Sequence, residues 1–137
     1  MKEITVDANI ETVAVVTEFV NQELEEVDCP PKLRMQIDVV IDEIFSNIAQ
    51  YAYDGKTGKA SVCVEFEDGN EVMVLTFKDS GKPYNPLENK EPDVTLSAEE
   101  RPIGGLGIFM VKKMMDAVQY EYKECKNILQ VKKRLKN

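Results

Sequence analysis

Three stretches of this sequence combine residue types and spacings that can do chemistry. The first runs from Arg101 to Asp116 and opens Arg101-Pro102-Ile103-Gly104-Gly105-Leu106-Gly107-Ile108, a glycine-rich turn that passes directly into an amphipathic helix. Gly104, Gly105 and Gly107 have no Cβ, so the backbone there can approach a ligand closely. The helix that follows offers unpaired N–H groups and the positive end of its dipole. That combination suits an anion such as the phosphate end of a nucleotide, although a plain helix start behind a flexible loop has the same composition. The second stretch holds Glu43 and Asn47, four residues apart and therefore on one side of a helix. Asn47 lies just beside the apolar arc of that helix and Glu43 somewhat further round. Partly buried amide and carboxylate groups need partners, which a ligand, a metal, water or each other can supply. The third is Asp79-Ser80-Gly81-Lys82-Pro83 at the end of a β-rich segment. A carboxylate fixed at a strand end can accept a hydrogen bond from an exocyclic amine such as that of adenine, and Gly81 lets the chain turn away beneath a ligand. An ordinary Asp-Ser-Gly turn reads the same locally.

Composition narrows the classes of function. A chain of 137 residues with 43% hydrophobic and 31% charged residues is expected to form one soluble globular domain over 1–137. No apolar run approaches the roughly 20 residues of a membrane span, and the charged, alternating N-terminus does not read as a signal peptide. Cys29, Cys63 and Cys125 are odd in number and far apart, which suits neither a disulfide framework nor a zinc site and places the expectation in the cytoplasm. A net charge of −8 and a pI near 4.7 argue against sequence-independent nucleic-acid binding. The chain has no histidine, so no mechanism can use its imidazole as base, phosphoacceptor or metal ligand.

The elements that must position these residues follow from periodicity. Lys2 to Val6 alternates as a first strand ending at Asp7 and Asn9, either of which can cap the next helix. Val13, Val16, Val20 and Leu24 recur at helical spacing within a helix from Ile10 to Val27, which Pro30 and Pro31 close. A second helix is expected from Lys32 to Tyr53, with Leu33, Ile37, Val40, Ile41, Ile44, Ile48 and Ala52 on one stripe. Gly55-Lys56-Thr57 is no P-loop, because Gln50 stands where a glycine is required and the order is helix then strand. Met110 likewise takes the place of the third glycine of a dinucleotide fingerprint. Ala60–Glu67 and Glu71–Lys78 pair through Asp68-Gly69-Asn70 as a hairpin. Residues 82–103, punctuated by Pro83, Pro86, Pro92 and Pro102, form a long loop of the kind that serves as a lid or stays disordered. A third helix from Leu106 to Ala117 is followed by the strands Val118–Glu124 and Ile128–Lys133 around Cys125-Lys126-Asn127.

Taken together, these boxes resemble the GHKL ATPases, the fold shared by gyrase, histidine kinases and mismatch-repair ATPases. The chain is most similar there to the stand-alone anti-sigma factor serine kinases. The first box is carried by Glu43, Asn47 and Tyr51-Ala52-Tyr53, the second by Asp79-Ser80-Gly81-Lys82-Pro83-Tyr84-Asn85-Pro86, and the third by Arg101 to Ile108. Tyr51 stands where histidine is frequent and Lys126 where a hairpin glycine is common. The resemblance implies an α/β two-layer sandwich (the Bergerat, or histidine kinase-like ATPase, fold), with a mostly antiparallel mixed sheet of about five strands covered on one face by about three helices. It further implies ATP and Mg²⁺ as cofactors. Asn47 would hold the metal, Asp79 would receive the adenine amine, and Gly81, Pro83, Gly104, Gly105, Leu106, Gly107 and Ile108 would line the nucleotide site beneath the lid. Glu43 is the implied general base. Arg101 is a candidate for offsetting charge on the transferring phosphoryl group, or simply a solvated lid residue. The implied partners are an anti-sigma factor antagonist of the STAS type and a sigma factor, with a homodimer compatible and neither nucleic acid nor membrane involved. The alternative is a nucleotide-gated binding module that sequesters a sigma factor or other regulator without significant kinase activity.

Overall fold

In a computed structural model the described residues are 1–88 and 105–135, with residues 89–104 and 136–137 outside them. Five strands make one sheet: β1 (Lys2–Asp7), β2 (Lys59–Glu67), β3 (Val72–Asp79), β4 (Ala117–Lys123) and β5 (Lys126–Arg134). Their spatial order is β1-β2-β3-β5-β4, so β3 is central. Every pairing among the described residues is antiparallel, in keeping with the mostly antiparallel sheet expected. Helices α1 (Val13–Glu26), α2 (Pro31–Asn47) and α3 (Gly105–Met114) form the second layer, with α2 in contact with both others.

Period-2 alternation explains which face the helices cover. Val62 and Val64 of β2, Met73, Leu75 and Phe77 of β3, and Leu129 and Val131 of β5 belong to one core with Val16, Val20 and Leu24 of α1 and Ile37, Val40, Ile41, Ile44 and Phe45 of α2. Full burial of a Phe45 or a Leu24 contributes about 1.5–3 kcal/mol each by removal of apolar surface from water. Phe45 lies outside the stripe expected for α2, yet it is fully buried, so the apolar arc of this helix is wider than its strict repeat.

Local departures from the expected boundaries have physical causes. Asn9 does cap: its side-chain oxygen accepts from the Thr12 amide at 3.0 Å. The first turn, Ile10–Thr12, is 3₁₀ before α1 begins. The second helix does not run unbroken to Tyr53; it ends at Asn47 and continues as a π-helical turn, Ile48–Ala52, and the Ala52 carbonyl at its end, where no intrahelical donor follows, accepts from Lys82 N at 3.0 Å. The last hairpin turns at Glu124 and Cys125, with φ of 55° and 63°, and not around Cys125-Lys126-Asn127. Asn127 therefore stands on strand β5, directly opposite Asp79.

Candidate functional site

Asp79 is the last residue of β3 and is 7% exposed. One of its carboxylate oxygens, Oδ1, accepts from Gly81 N at 2.9 Å and from Asn127 Nδ2 at 3.0 Å. The other oxygen has no hydrogen bond among the described residues. Asp79 lines a pocket of about 520 Å³, its open mouth included, which is a size typical of small-molecule sites. The walls are largely apolar, built from Ile44 and Ile48 of the α2 face, Phe77 and Leu129 of the sheet, Pro86 and Ile108. Asn47, at the end of α2, and Asn127 are the amides on its lining. An apolar slot with a carboxylate at one point suits a flat heterocycle that carries an amine.

Glu43 stands one helical turn before Asn47, and its carboxylate faces the first turn of α3. A methyl group added at Gly107 would collide with Glu43 Oε2 and lie 3.1 Å from Cδ. The helix end proposed for phosphate and the carboxylate proposed as base are thus neighbours. Gly81 is needed for a different reason from the one its sequence context suggested. A methyl group there would collide with the Ala52 carbonyl oxygen and lie 2.6 Å from the carbonyl carbon. The requirement is close approach of two backbones, the β3 exit and the π turn.

Tyr53 ties the same corner from the other side. Its hydroxyl accepts from Ser80 N at 2.8 Å and donates to the Lys59 carbonyl at 2.5 Å, which joins the end of the helical segment to the ends of β2 and β3. Because the obstruction at Gly81 is backbone, it cannot be relieved by a rotamer change. Gly81→Ala is expected to destabilise the fold by about 1–3 kcal/mol, read as a lower denaturant midpoint with an unchanged slope.

The remaining expected residues fall as follows. Asn47, Asp79 and Ile108 share the pocket. Pro83 is exposed and is not on the lining, where its neighbours Lys82 and Tyr84 stand instead. Gly105 and Leu106 open α3. Gly104, Arg101 and most of the expected lid lie outside the described residues.

Reading residues for chemistry missed Asn127, which is 7% exposed and bonded to Asp79. Placing it in a turn hid it. The alternation Asn127, Leu129, Val131 puts it on the inward-facing set, and that was the signal available.

For Mg²⁺, the fit rests on the Asn47 amide. Among the described residues no group of three acidic, histidine or cysteine side chains converges as a cage. Asn47 offers one hard amide oxygen on the pocket lining.

A single antiparallel sheet backed by three helices, with an acidic strand end opening on an apolar slot between the layers, is the histidine kinase-like ATPase fold. The histidine kinase-like ATPase domain family matches residues 6–133, and the chain belongs to that family. Among curated proteins it is similar to the serine-protein kinase RsbW of Bacillus mycoides and of Bacillus cereus. Each is 30% identical over 99 residues, covering 69% of this chain and 60% of the relative. The matched part is therefore 60% of those relatives' own length. Among solved structures, the RsbU and RsbW domains of a Mycobacterium tuberculosis protein superpose with a TM-score of 0.62 at 15% identity, covering 98% of this chain and 33% of that one. The histidine kinase domain of a blue-light activated kinase from Erythrobacter litoralis gives 0.58 at 16% identity, covering 77% and 46%. At these identities the structural likeness speaks for the fold. Among the described residues no helix is long and apolar enough to cross a membrane.

Proposed function

We propose that this chain is an ATP-dependent protein-serine kinase of the anti-sigma regulatory type, which phosphorylates a serine of an anti-sigma factor antagonist of the STAS class and also binds a sigma factor. The observation that carries the reading is the Asp79 carboxylate on an apolar slot, one oxygen without a hydrogen bond among the described residues, beside α3, whose Ile108 lines that slot and whose first turn meets the Glu43 carboxylate. Adenine fits the first and a triphosphate chain the second, because an exocyclic amine wants an acceptor and phosphate wants free helix N–H groups. The similarity to serine-protein kinases RsbW supports the protein-serine substrate.

Asn47 would hold Mg²⁺, with phosphate oxygens and waters completing its shell, and the bound metal would offset charge on the phosphates. Glu43 would orient the serine hydroxyl and take its proton. Gly104 to Ile108 would border the phosphates, and residues 82–103, with Arg101 at their end, would act as the lid. Asn47→Ala is expected to abolish most of the gain in ATP affinity on adding Mg²⁺; affinity that stays equally Mg²⁺-sensitive removes Asn47 from the metal shell.

A nucleotide-gated binding module is the second reading, and one observation favours it. A carboxylate beside the first turn of α3 is also what a helix N-terminus needs for its own stability. Partners captured with and without ATP, then tested for phosphoserine, separate the two readings. A phosphorylated serine partner supports the kinase, and ATP-dependent capture without any transfer supports the module.

A further inference from the structure

Asn127 has every hydrogen-bonding position of its amide in use. Nδ2 donates to Asp79 Oδ1 at 3.0 Å and to the Lys82 carbonyl at 2.9 Å. The amide oxygen accepts from Tyr84 N at 3.1 Å and from the Tyr120 hydroxyl. A primary amide has two donors and two acceptor sites, so nothing is left over. The partners also fix its orientation: a carboxylate and a carbonyl can only accept, and a backbone N–H can only donate.

The register places this side chain there, since Asn127 of β5 pairs with Asp79 of β3 and both side chains face the helix layer. Lys82 and Tyr84 line the same pocket as Asp79. One buried side chain therefore holds both the carboxylate and the strand of chain that forms the wall beside it.

We propose that Asn127 is the positioning residue that determines base specificity: by occupying Oδ1 of Asp79 it leaves Oδ2, without a partner among the described residues, as the acceptor for a base in the pocket, and by holding Lys82 and Tyr84 it sets the wall against which the base lies. The inference rests on the nucleotide reading above. With no spare donor or acceptor, Asn127 acts on the base through Asp79 and the wall. Other residues that reach Asp79 would do half of this. A serine can donate to Oδ1 but cannot also span to Lys82 and Tyr84. An aspartate keeps the shape but puts a second carboxylate against Asp79, and two carboxylates at that separation share one proton.

The test compares wild type, Asn127→Ser and Asn127→Asp for binding of ATP and GTP by calorimetry, each as a function of pH and each with a melting curve. Wild type is expected to prefer ATP, and Asn127→Ser to lose about tenfold of that preference, the scale of one hydrogen bond to a charged group. Asn127→Asp should bind ATP at least tenfold more weakly than wild type near pH 7.5. The deficit should narrow as the pH falls toward 5, where the shared proton restores a donor at position 127. Taking the ratio to wild type at each pH removes the titration of the nucleotide itself. A purely structural Asn127 would lower the melting temperature while leaving the ATP-to-GTP ratio and its pH profile at wild-type values, and that result overturns the inference while the nucleotide reading stands. Wild type that binds neither nucleotide overturns both. Two variants that fail to fold at all would show a residue required for stability only, and the inference falls.

Discussion

Asp79→Asn is expected to weaken ATP binding by about 10- to 100-fold, the equivalent of losing a hydrogen bond to a charged group worth about 1.5–3 kcal/mol. It should also move the preference toward guanine nucleotides. The direction follows from the two bonds that already occupy Oδ1. Gly81 N and Asn127 Nδ2 both donate, at 2.9 and 3.0 Å, so position 79 must keep an oxygen on that side. The new amide is thereby forced to turn its NH₂ group toward the pocket. An adenine amine would then meet a donor where it needs an acceptor, whereas the carbonyl of guanine would meet a partner. Sites built around a hydrogen bond discriminate strongly because the mismatched ligand leaves polar groups unpaired. Calorimetry of both nucleotides with wild type and variant checks it. Unchanged ATP affinity in Asp79→Asn would remove this carboxylate from base recognition.

Part of this site is legible in the amino-acid sequence. The alternation of β3 and the break at Ser80-Gly81 were enough to put Asp79 at a strand end, because a period of two leaves little freedom once one face is apolar. The stripe of α2 likewise placed Glu43 and Asn47 on one side. Three features were not legible. Nothing in Ile48-Ala49-Gln50-Tyr51-Ala52 announces a π turn, since its apolar spacing continues the α-helical repeat, and the contacts of the Ala52 carbonyl at its end with Lys82 N and Gly81 are long-range. Glu124 and Cys125 adopt left-handed backbone without a glycine or asparagine, so the expected turn ended two residues too late and concealed Asn127. The neighbourhood of Gly107 and Glu43 joins positions far apart in sequence, and only the packing of α3 on α2 creates it. Local chemistry was readable where periodicity fixes direction, and hidden where long-range contacts choose between equivalent local forms.

Glu43→Gln is expected to lower phosphoryl transfer to a serine partner by roughly 10²-fold or more, the usual scale of a general base, while ATP affinity is kept or slightly tightened. Glutamine has the same shape, so the close fit against Gly107 survives. What disappears is the ability to accept a proton and the negative charge. Loss of the charge removes a favourable interaction with the first turn of α3, worth about 0.3–1 kcal/mol at a partly exposed helix start. It also removes repulsion toward the phosphates of the nucleotide. A catalytic role and a helix-stabilising role therefore separate cleanly in one variant. The first gives a large fall in transfer with a small fall in stability, and the second gives the small fall in stability alone. Gly107→Ala supplies the complementary displacement, because its methyl group must push the carboxylate aside without changing its charge. If Glu43 is the base, both variants lose transfer, and only Glu43→Gln loses the charge itself. Transfer of labelled γ-phosphate, measured beside nucleotide affinity and thermal unfolding in the same preparations, distinguishes these outcomes; wild-type transfer rates in Glu43→Gln would leave Glu43 as an anion at the start of a helix.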